Sequence, residues 1–232
     1  MSAARPDAVP VPRWAPWAGA AAFLLVAALA GAVLTGAGPL LRVDGAVSTA
    51  LYAGDDRSGL VDALLRVATA PGLTVVRGLV YLPVLAVLVA RRSWWTAGWV
   101  AAAVLLVAPL NGLLKELVGR QRPQFAEGGA EYASLAFPSG HASGVAALAT
   151  TGLLLAWPAL GPVARRWWLA AGLALCVLVA LTRMWLGVHW LSDVVGGAAF
   201  GLGWTLLAAS VAGLLAGHHG VPAGRPEEEG VR

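Results

Sequence analysis

The sequence predicts an all-α membrane protein, a polytopic bundle of six transmembrane helices with one short interfacial helix. Three observations lead there. Of the 232 residues, 59% are hydrophobic and only 12% charged, and the mean hydropathy is +0.74, which places the chain outside the range of soluble domains. The apolar residues gather into separate runs, each close to the roughly 20 residues that carry a helix across the hydrocarbon core. The basic residues are dispersed between those runs. A net charge of +4 and a pI near 10.0 therefore speak for membrane topology and an anionic ligand, and against nucleic acid as a partner.

Residues 1–16 are polar and Pro-rich, with Arg5 and Arg13, and read as a disordered cytoplasmic arm. Residues 17–216 make the membrane domain, and residues 217–232, with the Glu227-Glu228-Glu229 run, a disordered cytoplasmic tail. The first span runs from Trp17 to Leu41; its apolar core is long for a cleaved signal peptide and no A-x-A site follows, so an uncleaved helix is expected. The stretch from Arg42 to Ala70 is mixed. Within it Leu60, Val61, Leu64, Leu65 and Ala68 recur at helical spacing beside Asp62 and Arg66, the pattern of an amphipathic helix on the membrane surface. Leu73 to Ala90 is the second span, with Arg77 near its outer end expected to snorkel. Trp94 opens the third, which reaches about Leu114. Ser139–Trp157, Trp167–Trp185 and Trp190–Ala216 are the fourth, fifth and sixth. The single cysteine, Cys176, lies in the fifth span and reads as packing. Gly196, Gly197, Gly201 and Gly203 put small residues on the sixth, as close helix packing requires.

Orientation follows from loop charge. With six spans, Arg5 and Arg13, Arg91 and Arg92, and Arg165 and Arg166 share one side, which the positive-inside rule makes the cytoplasm. Trp14, Trp17, Trp94, Trp95, Trp157, Trp167 and Trp168 mark the same interface. The remaining polar residues then face outward, in three segments: Lys115 to Pro123, Pro138 to His141, and Thr182-Arg183 with His189 and Asp193.

Those segments hold residue types suited to phosphoryl transfer. Ser139 is a good N-cap, so the next helix would start with the amides of Gly140 and His141 unpaired, a ready anion site. His189 and Asp193 are four apart at a helix start, so they meet on one face. The carboxylate can accept the Nδ1 proton and leave Nε2 as a nucleophile. His141 is placed to act as acid or base, and Lys115, Arg122 and Arg183 supply positive charge for phosphoryl oxygens. Each cation alone could be a snorkelling anchor, but a cluster of three on the outer side runs against the topological trend. No acidic cluster suits Mg²⁺ or Zn²⁺, and the adjacent His218 and His219 in the tail are a poor metal site; no metal and no cofactor is expected. Arg120 and Gln121 could touch a headgroup or simply be solvated in the loop. Trp185 and Trp190 could line a lipid entrance or anchor the turn.

Lys115 with Arg122-Pro123, then Pro138-Ser139-Gly140-His141, then Arg183 with His189 and Asp193 resemble, in order and spacing over residues 115–193, the three-part signature of type 2 phosphatidic acid phosphatases, in the superfamily that includes vanadium haloperoxidases. Thr182 stands where the third motif usually has Ser. The resemblance implies a metal-independent, multi-pass lipid phosphatase of the cytoplasmic membrane. In it His189 forms a phosphohistidine, His141 is the general acid and Asp193 orients His189, while Lys115, Arg122, Ser139, Gly140 and Arg183 hold the phosphate. The implied partners are membrane lipids and a lipid phosphate substrate: undecaprenyl diphosphate, phosphatidic acid or phosphatidylglycerol phosphate, dephosphorylated at the extracytoplasmic face. The oligomeric state stays open. The alternatives are a vanadate-dependent haloperoxidase, whose relatives are typically soluble and larger, and an anionic-lipid transporter or flippase, which would need no oriented imidazole.

Overall fold

The computed structural model describes residues 11–54, 56–125 and 134–218. The expected arm up to residue 10 and tail from residue 219 lie outside the described residues. The regular structure is helical: α1 (Ala15–Leu34), α2 (Gly38–Leu51), α3 (Gly59–Thr69), α4 (Thr74–Ala90), α5 (Trp94–Leu105), α6 (Val107–Val118), α7 (Gly140–Ala156), α8 (Pro162–Trp185) and α9 (Leu191–His218). Four of them, α1, α7, α8 and α9, are long and apolar enough to cross a membrane alone, with α7 counted to Ala159 through a short 3₁₀ turn. Counting the bent pairs α3–α4 and α5–α6 as one span each makes up to six.

The sequence expectation differs at the ends of the first span. Pro16 sits in the first turn of α1, where a missing N–H is no loss, so the helix starts inside the expected arm. It stops at Leu34, seven residues before the expected Leu41, because Gly36 takes a left-handed conformation (φ 65°). The Gly36 and Ala37 amides then close on the Val33 and Ala32 carbonyls at 3.1 and 2.8 Å. Pro39, in the first turn of α2, restarts the chain as a separate helix packed on the end of α8 and the start of α9. At the far end, Gly217 and His218 continue α9 where the tail was expected to begin.

The third span is broken. Pro109 has no N–H for the Leu105 carbonyl, and the axis turns by 41° between α5 and α6. The turn frees the Val104 carbonyl, which accepts a 3.0 Å hydrogen bond from Arg77 Nε. Arg77 is therefore buried, 1% exposed, and does not snorkel as the sequence suggested. A mid-span arginine is tolerable here because the break supplies a carbonyl for it. Amphipathic α3 is capped by Ser58, whose side chain accepts from Val61 N, and joins α4 through a 3₁₀ turn at Ala70–Gly72. Its Leu60, Leu64 and Val67 are exposed. α8 begins at Pro162, ahead of the expected Trp167, again with proline in the first turn.

α7 sits at the centre, packed on α9 and α8, with α6 and the Ala70–Gly72 turn against its start. Glycines make the α7–α9 approach possible: a Cβ on Gly197 would overlap the Ser139 carbonyl oxygen, and one on Gly201 the Ser143 carbonyl oxygen. Trp99, Leu154 and Leu206 fill one part of the core; Val107, Phe137 and Phe200 fill another. Trp14 packs edge-on against Trp157 (5.8 Å), and Arg165 lies 4.4 Å over the same ring and donates to the Trp157 carbonyl. The start of α1, the end of α7 and the start of α8 thus share one end of the bundle, and the three polar segments gather at the other.

Candidate active site

Four helix ends position the site. Ser139 caps α7, its hydroxyl accepting from the Ala142 amide at 3.5 Å and its carbonyl from Ser143 N at 3.0 Å. Gly140 and His141 are the first two residues of α7, and neither amide has an intrahelical acceptor four residues back. Ser139 N donates to the Asp193 backbone carbonyl (2.9 Å), fastening the start of α7 to the start of α9. Lys115 is in the last turn of α6 and Arg183 in the last turn of α8, and both lie near enough to His141 to act on it electrostatically, as His189 does.

His189 lies in the turn between α8 and α9 and is 2% exposed. Its Nδ1 is 3.3 Å from Asp193 Oδ2. A carboxylate only accepts, so Nδ1 carries the proton and Nε2 keeps a lone pair. Arg122 Nη1 approaches that nitrogen at 3.3 Å. Burial pushes the imidazole pKa down to about 4; hydrogen bonding and charge from Asp193 oppose this, and Arg122 and Arg183 add to it. At neutral pH the ring is uncharged with its lone pair toward the cations, the state a nucleophile needs. Asp193 Oδ2 also accepts from the Trp190 amide (2.9 Å), so the carboxylate that orients His189 also caps the start of α9.

The cations are held by backbone carbonyls. Lys115 Nζ donates to the Leu135 and, at 3.3 Å, the Ala136 carbonyl. Arg122 donates from Nε to the Ser134 carbonyl (2.7 Å), from Nη2 to the Ser134 hydroxyl (2.9 Å) and from Nη1 to the Val188 carbonyl (2.7 Å). Arg183 is buried at 4% exposure. Lys115, Arg122, Arg183 and His189 all act electrostatically on His141. The structure therefore brings together every residue picked from the sequence: Lys115, Arg122, Ser139, Gly140, His141, Arg183, His189 and Asp193. Thr182, the departure from the motif, is fully buried and donates to the Val179 carbonyl (2.7 Å), facing its own helix. Among the described residues no group of three or more His, Cys, Asp or Glu converges to hold a metal ion.

Of the two readings left open for Arg120, solvation in the loop does not hold: the side chain is buried and bound to two carboxylates, Asp193 Oδ1 (2.7 Å) and Asp44 Oδ2 (2.6 Å). Asp44, 1% exposed on α2, was missed because its helix was not expected there. The available signal was a lone aspartate four residues before Ser48 in an apolar stretch, which places both on one helical face. Gln121 instead gives its carbonyl to Trp190 Nε1 (3.0 Å), tying the first motif to the third. Trp185 lines an apolar hollow of about 300 Å³ with Ala53, Val61, Leu64 and Leu65.

Comparison with known proteins adds the following. The model of the PAP2 superfamily matches residues 94–214. Phosphatidylglycerophosphatase B of Bacillus subtilis (strain 168) is 34% identical over 128 residues, 52% of this chain and 62% of the relative. Lipid A 1-phosphatase of Rhizobium johnstonii is 32% identical over 126 residues, 50% of this chain and 48% of the relative. Decaprenylphosphoryl-5-phosphoribose phosphatase of Mycobacterium tuberculosis (H37Rv) is 36% identical over 126 residues, 53% of this chain and 63% of the relative. The matches thus span between about half and just under two thirds of these relatives. Among solved structures, that of a transmembrane PAP2-type phosphatidylglycerolphosphate phosphatase from Bacillus subtilis superposes with a TM-score of 0.63 at 27% identity, over 84% of this chain and 96% of that one.

Proposed function

The chain belongs to the PAP2 superfamily, and from that membership we propose that it is a lipid phosphatase acting through a phosphohistidine at the extracytoplasmic face of the membrane. The observation that carries this reading is the His189–Asp193 pair, whose geometry leaves an uncharged imidazole with Nε2 toward Arg122. In the reaction, Arg122 turns donors from Nε2 and the loop carbonyls to phosphoryl oxygens, joined by Lys115, Arg183 and the first amides of α7. Nε2 attacks phosphorus in line as the bond to the lipid oxygen breaks, and His141 gives that oxygen its proton. Water then attacks the phosphohistidine, its proton passes to His141, and phosphate leaves with His189 restored. The charge comes from side chains, so no metal takes part.

Three relatives are named for three different lipid phosphates, so the phosphoryl cradle rather than the headgroup is taken as the common element. Undecaprenyl diphosphate, phosphatidic acid and phosphatidylglycerol phosphate each carry the phosphoryl group it would hold. The apolar hollow at Trp185, two residues from Arg183, offers the lipid tail a place beside the cradle. Phosphate release from a panel of these lipids by the purified protein is the test. His189→Ala should abolish it while gel-filtration behaviour stays normal, and Asp193→Asn should lose most of the rate through the freed tautomer. Turnover near the wild-type rate in His189→Ala would refute the covalent route.

A further inference from the structure

Asp193 is not held by His189 alone. Its Oδ2 serves His189 and the Trp190 amide, while its Oδ1 accepts from Arg120 Nη1 at 2.7 Å. The same Nη1 lies 2.6 Å from the Ser192 hydroxyl, and Nη2 donates to Asp44 Oδ2 at 2.6 Å. Asp44 in turn accepts from the Ser192 amide (2.8 Å) and hydroxyl (2.6 Å). All four side chains are buried, and the Trp190 ring covers the guanidinium at 5.3 Å. Asp44 comes from α2, outside the residues matched by the family model.

The charges in this network are unequal: two carboxylates share one guanidinium. Had Arg120 faced Asp193 alone, the pair would be neutral, and Asp193 would have little left to stabilise the positive charge His189 gains on attacking phosphorus. Asp44 draws on the same guanidinium, so Asp193 stays fixed in position yet keeps a net negative field for the imidazole.

We propose that Arg120 and Asp44 are positioning residues for the proposed phosphatase reaction, clamping Asp193 while balancing the clamp's charge so that Asp193 still supports His189. This rests on the phosphatase reading given above. The other charged or titratable groups around His189 and Asp193 are Lys115 on α6, Arg122 after α6, Arg183 on α8 and His141 on α7, and none of them contacts the Asp44 carboxylate in the interactions above.

The test compares kcat, KM and the pH profile for Asp44→Asn, Arg120→Gln and Arg120→Lys with wild type on one lipid phosphate in detergent. Hydrogen bonds to charged groups are worth enough that kcat should fall about 10-fold to 100-fold in Asp44→Asn and Arg120→Gln, with KM within about twofold. Arg120→Lys, which keeps the charge but not the fork, should recover part of the rate. The two losses should differ in pH dependence. Removing the cation in Arg120→Gln makes the surroundings of His189 more negative and moves the acid limb of kcat to higher pH, whereas Asp44→Asn must not move it upward. A raised KM with unchanged kcat would make Arg120 a headgroup ligand and overturn the proposal. So would wild-type kinetics in Asp44→Asn, or equal pH profiles in all folded variants. If Arg120→Gln fails to fold, a wild-type kcat in Arg120→Lys together with Asp44→Asn still refutes it. A wild-type protein that releases no phosphate from any lipid refutes the phosphatase reading and this inference with it; an active wild type with an indifferent Asp44→Asn refutes the inference alone.

Discussion

Substituting Gly197 by alanine probes how closely the site depends on the α7–α9 contact. The new Cβ would fall on the Ser139 carbonyl oxygen, with the Ala142 Cβ and Ser139 N each 3.1 Å away, where ordinary contact starts at 3.4 Å. Backbone cannot rotate out of the way as a long side chain could, so the two helices must part, by about 1 Å. Gly197 is one turn after Asp193, and Ser139 is two residues before His141, so the displacement enters the site directly. It also strains the 2.9 Å bond from Ser139 N to the Asp193 carbonyl. A misplacement of about 1 Å lowers a rate on the order of 100-fold, and overpacking of this kind costs about 1–3 kcal/mol of stability. The measurements are phosphate release and thermal unfolding in detergent, with Gly98→Ala as the control. That glycine is exposed on α5 with open space where its Cβ would go, so alanine should be neutral or stabilise by up to about 1 kcal/mol. Full activity in a folded Gly197→Ala would mean that the approach of α7 to α9 does not set the site's geometry.

Further outcomes are expected. The acid limb of kcat/KM should have its midpoint near pH 4, where burial sets the His189 pKa, rather than at the usual imidazole value. On the stability side, the unfolded chain takes up this proton at a higher pH than the native one. Stability contributed by the neutral ring is therefore present above the ordinary histidine pKa, falls as pH drops through the window down to about 4, and levels off below it; a stability that rises with acidification there would contradict the assignment. Activity should survive EDTA, because Lys115, Arg122 and Arg183 supply the charge, and orthovanadate should inhibit by mimicking five-coordinate phosphorus; loss on chelation with recovery on Mg²⁺ would rule out the metal-free route. In a Cys176→Ser background, Gln124→Cys should react with an impermeant thiol reagent in intact cells and Arg165→Cys should not, and the reverse pattern would move the site to the cytoplasm.

The spans and the motif residues were legible because each rests on local information. Apolar runs report length, His189 and Asp193 report a shared helical face, and Ser139 reports a cap. Gly197 and Gly201 were read as packing residues, and the structure adds what they pack on. The breaks were harder. Gly36 and Pro39 end one helix and start another inside a stretch that hydropathy reads as continuous, which hid α2. Pro109 bends the third span, but the number of residues between its ends is unchanged, so length alone did not show it. The partners of the buried charges were not legible at all. Asp44 and Arg120 are 76 residues apart, and periodicity says which face of a helix is apolar without saying what lies across from it.

Arg77 was read as snorkelling and Arg120 as either touching a headgroup or solvated in the loop, and none of these readings gave a buried partner. An ionised group inside a membrane bundle is stable only with a partner, since an isolated one costs at least about 2.5 kcal/mol even on the lenient insertion scales. Asp44 follows an apolar run too closely to be given to solvent by default. The nearest cations by sequence, Arg42 within α2 and Arg57 beyond it, stand two residues before and thirteen after Asp44, neither at the three- or four-residue spacing that shares its face. Its partner therefore had to come from a distant segment at the same end of the bundle. Lys115, Arg122 and Arg183 were already assigned to phosphate there, and among the other cations of that end the structure pairs Asp44 with Arg120 at 2.6 Å. Arg120 thus bridges two buried carboxylates, and the second of them, Asp193, is the one paired with His189.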